Sequence, residues 1–165
     1  MTMKKHLILL LFTMIGTASF IPAQVQAQSK REREEQVKAQ IKQRVDSRQV
    51  LIRITEAAGA RNTSGILEGS VEIMDTLLVS NLPYYGRLHT PASDPSQAGL
   101  NFESSTYDYL HSVLDDGSAK ILFNVKRGLE TFAYYIVITS KGRATVSVYS
   151  DKRTPASYSG EINLQ

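Results

Sequence analysis

Apolar residues recur at every second position over most of this chain, from residue 49 almost to its end. Val50, Ile52 and Ile54 begin the pattern, and the same spacing returns in the runs 121–125, 132–138 and 144–148. Successive side chains of a β-strand point to opposite faces, so a period of two is typical of strands with one buried face. The sequence therefore predicts a chain built mainly from β-strands.

The connections between the later runs are short and contain Gly117, Gly128 and Gly142, which suit turns that need a positive φ. Short connections join antiparallel neighbours, which predicts an up-and-down meander. The predicted strands are 49–56, 69–73, 76–80, 100–104, 107–114, 119–125, 131–139, 143–150 and 158–162.

The prediction is seven to nine strands and one helix. The strands form one antiparallel sheet, and both faces of that sheet must be covered. A sheet of this size either closes into a barrel or folds into a two-layer sandwich. The run 131–139 is apolar on both faces and is expected in the middle of the sheet. Alternation decides which residues share a face but not how the sheet closes, so both closures stay open.

The first 27 residues have the pattern of a secretory signal peptide. Lys4 and Lys5 precede an apolar run over residues 7–21, and Ala27 is a small residue at the predicted cleavage point. The predicted organisation is a leader at 1–27, a helical segment at 28–48 and an antiparallel β domain at 49–165. The apolar run is too short for a comfortable membrane span, and the mature chain offers no second one, so no transmembrane segment is expected.

The chain has no cysteine, which excludes disulfides, thiolate catalysis, cysteine-ligated metals and a lipid-modified cysteine. An exported periplasmic or secreted protein that is not a lipoprotein fits this composition. The net charge of +3 falls to about +1 without Lys4 and Lys5, so nucleic acid is not an expected partner. No phosphate-binding, nucleophile or metal-ligand motif occurs in the sequence, and neither a cofactor nor a metal is expected.

A helix is predicted from Ser29 to Asp46, where the chain is charged and lacks glycine and proline. Val37, Ile41 and Val45 form a single i, i+4, i+8 stripe, which indicates a helix lying on the sheet through one narrow contact. The alternative is a structural or assembly role, in which this helix docks a partner.

The long aperiodic segment 82–101 contains three of the five prolines. Long loops in small domains are often functional. Tyr84, Tyr85, Arg87 and His89 concentrate aromatic and cationic side chains there, and we expect them to bind a ligand. The favoured function is a non-catalytic binding or interaction protein of the cell envelope. Its partner would be a small molecule, a glycan or an envelope protein.

Glu103 lies in the strand that follows this loop. If it faces the interior, it needs a cation such as Arg87 or Arg143, and we favour such an ion pair over a ligand-binding role. The alternative function is a small hydrolase or lyase that uses His89 or His111 with Glu103. His111 sits in an alternating run, which favours a half-buried strand histidine bonded to a neighbour.

Four motifs in fixed order suggest a family. They are residues 82–87 (LPYYGR), residues 99–104 (GLNFES), the strand pair around Gly142, and residues 158–162 (YSGEI). This series resembles the exported bacterial domain of unknown function 4251, over about residues 47–162. The resemblance implies an exported single domain without an assigned activity, and it supplies no catalytic residue.

Overall fold

The computed structural model of the protein describes residues 23–58, 68–89 and 98–165. Most of the predicted signal peptide, at residues 1–22, and residues 90–97 of the predicted recognition loop lie outside the described residues. The chain divides into two units, Met1–Arg31 and Glu32–Gln165. Within the described residues, no helix is long and apolar enough to cross a membrane.

One helix precedes eight strands in the described chain, in agreement with the mainly β prediction. The elements are α1 Ala23–Asp46, β1 Gln49–Ala57, β2 Gly69–Met74, β3 Leu77–Leu82, β4 Leu100–Val113, β5 Ala119–Arg127, β6 Glu130–Ile138, β7 Arg143–Ser150 and β8 Arg153–Ile162. Each strand pairs antiparallel with the next, which confirms the predicted meander.

The sheet closes into a barrel because β8 also pairs with β1. Ile52 lies opposite Ile162 across this seam, and Ile54 lies opposite Gly160. A β-carbon on Gly160 would collide with the backbone of Arg53, so the close approach of β1 and β8 requires glycine at this position. The barrel, rather than the sandwich, is the closure that this chain adopts.

The inward faces are those that the alternation predicts. Val50, Ile52 and Ile54 are buried, and β6 buries Phe132 and Tyr134. The outer face of β6 differs from the prediction, because Tyr135 is 37% exposed and no second layer covers it within the described residues. A closed barrel buries only its interior, so an apolar outer face remains at the surface.

The fourth strand joins two predicted strands into one of fourteen residues. Its first half pairs with β3 and its second half with β5. The register shifts between Tyr107 and Leu110, where Asp108 has φ 53°. This bulge lets one long strand turn the corner between neighbours on either side.

The part of α1 within residues 32–46 lies across one end of the barrel. Ile41 and Val45 are completely buried and Val37 packs beside them, which confirms the predicted stripe. Arg44 donates a hydrogen bond to the backbone oxygen of Gln165 at 2.7 Å, so the helix also contacts the end of the chain. The opposite end of the barrel carries the β5–β6 and β7–β8 turns and the long β3–β4 connection.

Candidate functional site

The described start of the β3–β4 connection, residues 83–89, lies along the beginning of β8, and we call it the strap. Leu88 forms a β-bridge with Arg153. The His89 N–H donates to the Lys152 carbonyl at 2.8 Å, and the Thr154 N–H donates to the Arg87 carbonyl at 2.9 Å. These bonds hold the strap backbone against the barrel.

Tyr84 anchors the strap from its inner side. Its hydroxyl lies 2.9 Å from the Thr154 carbonyl and 3.0 Å from the Arg87 carbonyl, and its ring lies 5.1 Å from the Arg153 guanidinium carbon. A β-carbon on Gly86 would collide with the Tyr84 ring and the Thr154 hydroxyl, so glycine is what allows this close packing. Tyr84 therefore holds the strap, and its hydroxyl is already bonded within the protein.

Tyr85, Arg87 and His89 point the other way and are exposed. They alternate with Tyr84, Gly86 and Leu88, as expected for an extended strap with one inner face. His89 Nδ1 lies 3.2 Å from the Asp151 carbonyl oxygen. A carbonyl only accepts, so Nδ1 carries the proton and Nε2 is left for another partner.

A buried ion pair lies beneath the strap. Arg153 donates from Nε and Nη2 to the two carboxylate oxygens of Glu130, each at 2.7 Å. The side chains are 3% and 13% exposed, respectively. Burial alone would raise the pKa of Glu130, but hydrogen bonds from Arg153 and Ser150 outweigh it and hold that pKa below its ordinary value. The Glu130 carboxylate is therefore ionised, and both of its oxygens accept hydrogen bonds within the protein.

Two arginines fix the far end of the β3–β4 connection. Arg153 Nη1 donates to the Ala98 carbonyl at 2.9 Å, and Arg127 Nη1 donates to the Gly99 carbonyl at 2.9 Å. The Arg127 guanidinium lies 5.1 Å from the centre of the Phe102 ring. The far end is thus bound to the barrel by side chains of β5 and β8, whereas the strap is bound through the backbone of β8.

Sequence analysis did not identify Arg153 or Glu130. Counting back by twos from the buried Tyr158 would place Arg153 on the outer face. The register of β7 and β8 shifts between Val148 and Ser150, and this irregularity turns Arg153 inward. In the sequence, Arg153 is visible only as an arginine directly after a two-residue turn. That position does not indicate that the side chain is buried.

Glu103 and His111 lie on different parts of β4. Glu103 is exposed opposite Val79 on the outer surface, so the expected buried ion pair belongs to Glu130 and Arg153 instead. His111 pairs with Ile121, eight residues further along the strand. At the usual rise per residue this separates Glu103 and His111 by about 25 Å, too far to share one substrate.

His111 faces the end of α1, where its Nε2 lies 3.3 Å from Asp46 Oδ1. Lys42 donates to the other oxygen of Asp46 at 2.6 Å, and this hydrogen bond is the main reason why the pKa of Asp46 lies below its ordinary value. Burial raises the pKa of neighbouring Tyr109 to about 12, so its phenol stays protonated at neutral pH. This cluster joins the helix to the barrel.

The described residues contain no group of three or more histidine, aspartate or glutamate side chains that could hold a metal ion. Two surface grooves contain none of the exposed strap residues. One of about 470 Å³ includes Met74 at the helix end, and one of about 580 Å³ includes Gly69 on the outer side of β1–β3. Neither groove brings a histidine together with a carboxylate, so the strap carries the strongest concentration of candidate residues.

Comparison with known proteins agrees with this fold. The crystal structure of a DUF4251 family protein from Bacteroides eggerthii superposes with a TM-score of 0.58 at 11% identity, covering 76% of this chain and 86% of that one. At that identity the likeness concerns the fold alone. No curated protein matches the chain. The family model for the domain of unknown function DUF4251 matches residues 32–162, and the chain belongs to this family.

Proposed function

We propose that this protein is a non-catalytic binding protein of the cell envelope, and that the strap recognises an anionic ligand through Tyr85, Arg87 and His89. The observation that carries the proposal is the contrast within the strap. Its backbone is bonded to β8, while these three side chains are exposed. A fixed backbone lowers the entropy lost when exposed side chains bind a ligand.

The charge around the strap favours an anion. Arg153 and Glu130 neutralise each other below the surface, and the described strap and the β7–β8 turn carry Arg87 and Lys152 against one carboxylate, Asp151. An arginine guanidinium presents paired donors that match carboxylate, phosphate or sulfate. The adjacent phenol ring of Tyr85, 45% exposed, offers a flat surface for an apolar part of the ligand.

Binding fits these residues better than catalysis does. His89 Nδ1 contacts a backbone carbonyl, whereas a catalytic imidazole is commonly oriented by a carboxylate. His111 contacts Asp46 at the opposite end of the barrel. The hydrolase alternative requires Glu103 beside one of these imidazoles, and the separation along β4 excludes His111 from that role.

The export of the protein is part of the proposal. The leader pattern around Lys4, Lys5 and Ala27 supports it. Fractionation of the host cells followed by N-terminal sequencing tests it. Recovery from the periplasm or medium with a start at Gln28 is expected, and recovery from the cytoplasm with Met1 intact would contradict it.

A matched pair of polymers tests the binding proposal, since dextran sulfate and dextran share a polysaccharide backbone and only the first carries anionic sulfate groups. We expect the purified protein to bind dextran sulfate, with amide chemical shifts changing at Tyr85, Arg87 and His89. Arg87→Gln should weaken this binding by about fivefold. Arg143→Gln is the control and should not weaken it, because Arg143 is an exposed arginine at the barrel end covered by α1. Equal binding of both polymers, or equal loss in both variants, would overturn the proposal.

A further inference from the structure

The most exposed large apolar side chain in the described chain is at the strap end. Leu129 is 95% exposed, compared with 64% for Leu110, the next in rank. It follows Gly128, which has φ 59° and open space around it, so the β5–β6 turn projects beyond the barrel. A turn of two residues therefore presents this leucine to solvent.

An aromatic side chain lies near this leucine. Leu129 and Tyr149 line a shallow groove of about 330 Å³ between the β5–β6 and β7–β8 turns. Tyr149 is 49% exposed, and Tyr85 on the strap is 45% exposed. Tyrosine is amphipathic, and it is favoured where an apolar phase meets water.

Cations also lie at this end of the barrel. Lys152 donates from Nζ to the Leu129 carbonyl at 3.0 Å, which places its charge at the base of the turn. Arg87 is exposed on the strap, whose backbone is bonded to Lys152 and Thr154. An apolar tip with a neighbouring tyrosine and cations at its base matches the layered chemistry of an anionic lipid surface, whose acyl region lies beneath phosphate groups.

We propose that the strap end docks the protein on the surface of an anionic lipid bilayer. Leu129 enters the boundary between headgroups and acyl chains, Tyr149 and Tyr85 lie at headgroup level, and Arg87 and Lys152 contact lipid phosphates. This inference rests on the proposed anion recognition by the strap, and it names a lipid headgroup as the source of the anion. The chain lies on the bilayer in this arrangement and does not cross it.

Co-sedimentation with lipid vesicles tests the proposal. The purified protein should bind phosphatidylcholine vesicles that contain about 30 mol% phosphatidylglycerol and should not bind pure phosphatidylcholine vesicles. Raising the salt concentration from about 0.05 M to about 0.5 M should weaken binding, because salt screens the contact with phosphate.

The deciding variant is Leu129→Ser, with Leu110→Ser as its matched control. Both leucines are exposed, so neither change should alter the melting temperature by more than a few degrees. Loss of an inserted leucine should weaken vesicle binding about tenfold, while Leu110→Ser should stay within about twofold of the unchanged protein. Equal effects of the two variants would overturn membrane docking.

Dextran sulfate separates this inference from the proposed function. Leu129→Ser should retain dextran sulfate binding while it loses vesicle binding, because the polymer has no apolar layer. Binding of dextran sulfate without any binding of anionic vesicles would overturn the lipid inference and leave anion recognition standing. Binding of neither would overturn both, and equal binding of neutral vesicles would overturn the role of the cations.

Discussion

Replacing Glu130 with alanine removes the counter-ion of a buried guanidinium. Arg153 is 3% exposed, and both of its hydrogen bonds to the carboxylate are 2.7 Å long. Arg153 also donates to the Ala98 carbonyl, and its guanidinium lies over the rings of Tyr84 and Phe132. Glu130→Ala therefore removes the carboxylate that accepts two short hydrogen bonds from this buried guanidinium.

The expected cost is about 3–5 kcal/mol, the range for breaking a buried pair from one side. For a domain of this size, that corresponds to a fall in melting temperature of about 10–15 °C. The chain has no tryptophan, so urea and thermal unfolding are best followed by far-UV circular dichroism. Glu103→Ala is the matched control. Because this glutamate is exposed, its replacement should lower the free energy of unfolding by no more than about 0.5 kcal/mol.

The same pair predicts a pH dependence. The pKa of Glu130 lies below its ordinary value of 4.5 in the folded protein, so its ionised form stabilises the fold at neutral pH. That contribution is fully present above pH 4.5 and is lost as the pH falls through the lowered pKa. The stability gap between the unchanged protein and Glu130→Gln should therefore be widest near neutral pH and should narrow below pH 4.5.

Two results would refute this reasoning. One is a free energy of unfolding for Glu130→Ala that is no lower than that of Glu103→Ala. The other is a stability gap between the unchanged protein and Glu130→Gln that stays constant from neutral pH to acid. Either result would mean that Arg153 finds water or another anion once the carboxylate is gone.

Three further substitutions test the barrel itself. Gly160→Ala places a β-carbon against the backbone of β1 at the closing seam, and we expect a loss above about 3 kcal/mol by urea unfolding; a loss under 1 kcal/mol would argue against this tight approach. Ser80→Ala leaves the buried Tyr134 hydroxyl without its 3.0 Å partner and should cost about 1–3 kcal/mol, most of it recovered when Tyr134→Phe is added; no recovery would contradict this pairing. Ile41→Ala should cost about 2–4 kcal/mol by thermal unfolding, and an equal effect of Gln40→Ala, an exposed position, would contradict the docked helix.

The strands and their faces could be predicted from the sequence, because they depend on local properties. Val146 and Val148 are buried and alternate with Thr145 and Ser147, as the period-two pattern indicates. The turns could be predicted for the same reason, since Gly142 takes φ 85° in the β6–β7 connection. Both features depend on neighbours within a few residues.

The candidate site could be predicted only in part. Its location in the long connection followed from proline content and aperiodicity, and Tyr85, Arg87 and His89 are exposed there. That Tyr84 turns inward depends on the Leu88–Arg153 bridge, which joins positions far apart in the chain. A sequence pattern cannot indicate which of two adjacent tyrosines faces solvent, because a distant strand decides it.

The sequence by itself determined that this protein is a β meander with a helix packed through one apolar stripe, since side-chain alternation and turn geometry are local. Tertiary structure alone decided that the sheet closes, because β1 and β8 meet across a separation of about a hundred residues and no local pattern records that pairing. It also decided that Arg153 and Glu130 form the buried pair, because a register shift in β8 reverses the faces that alternation predicts.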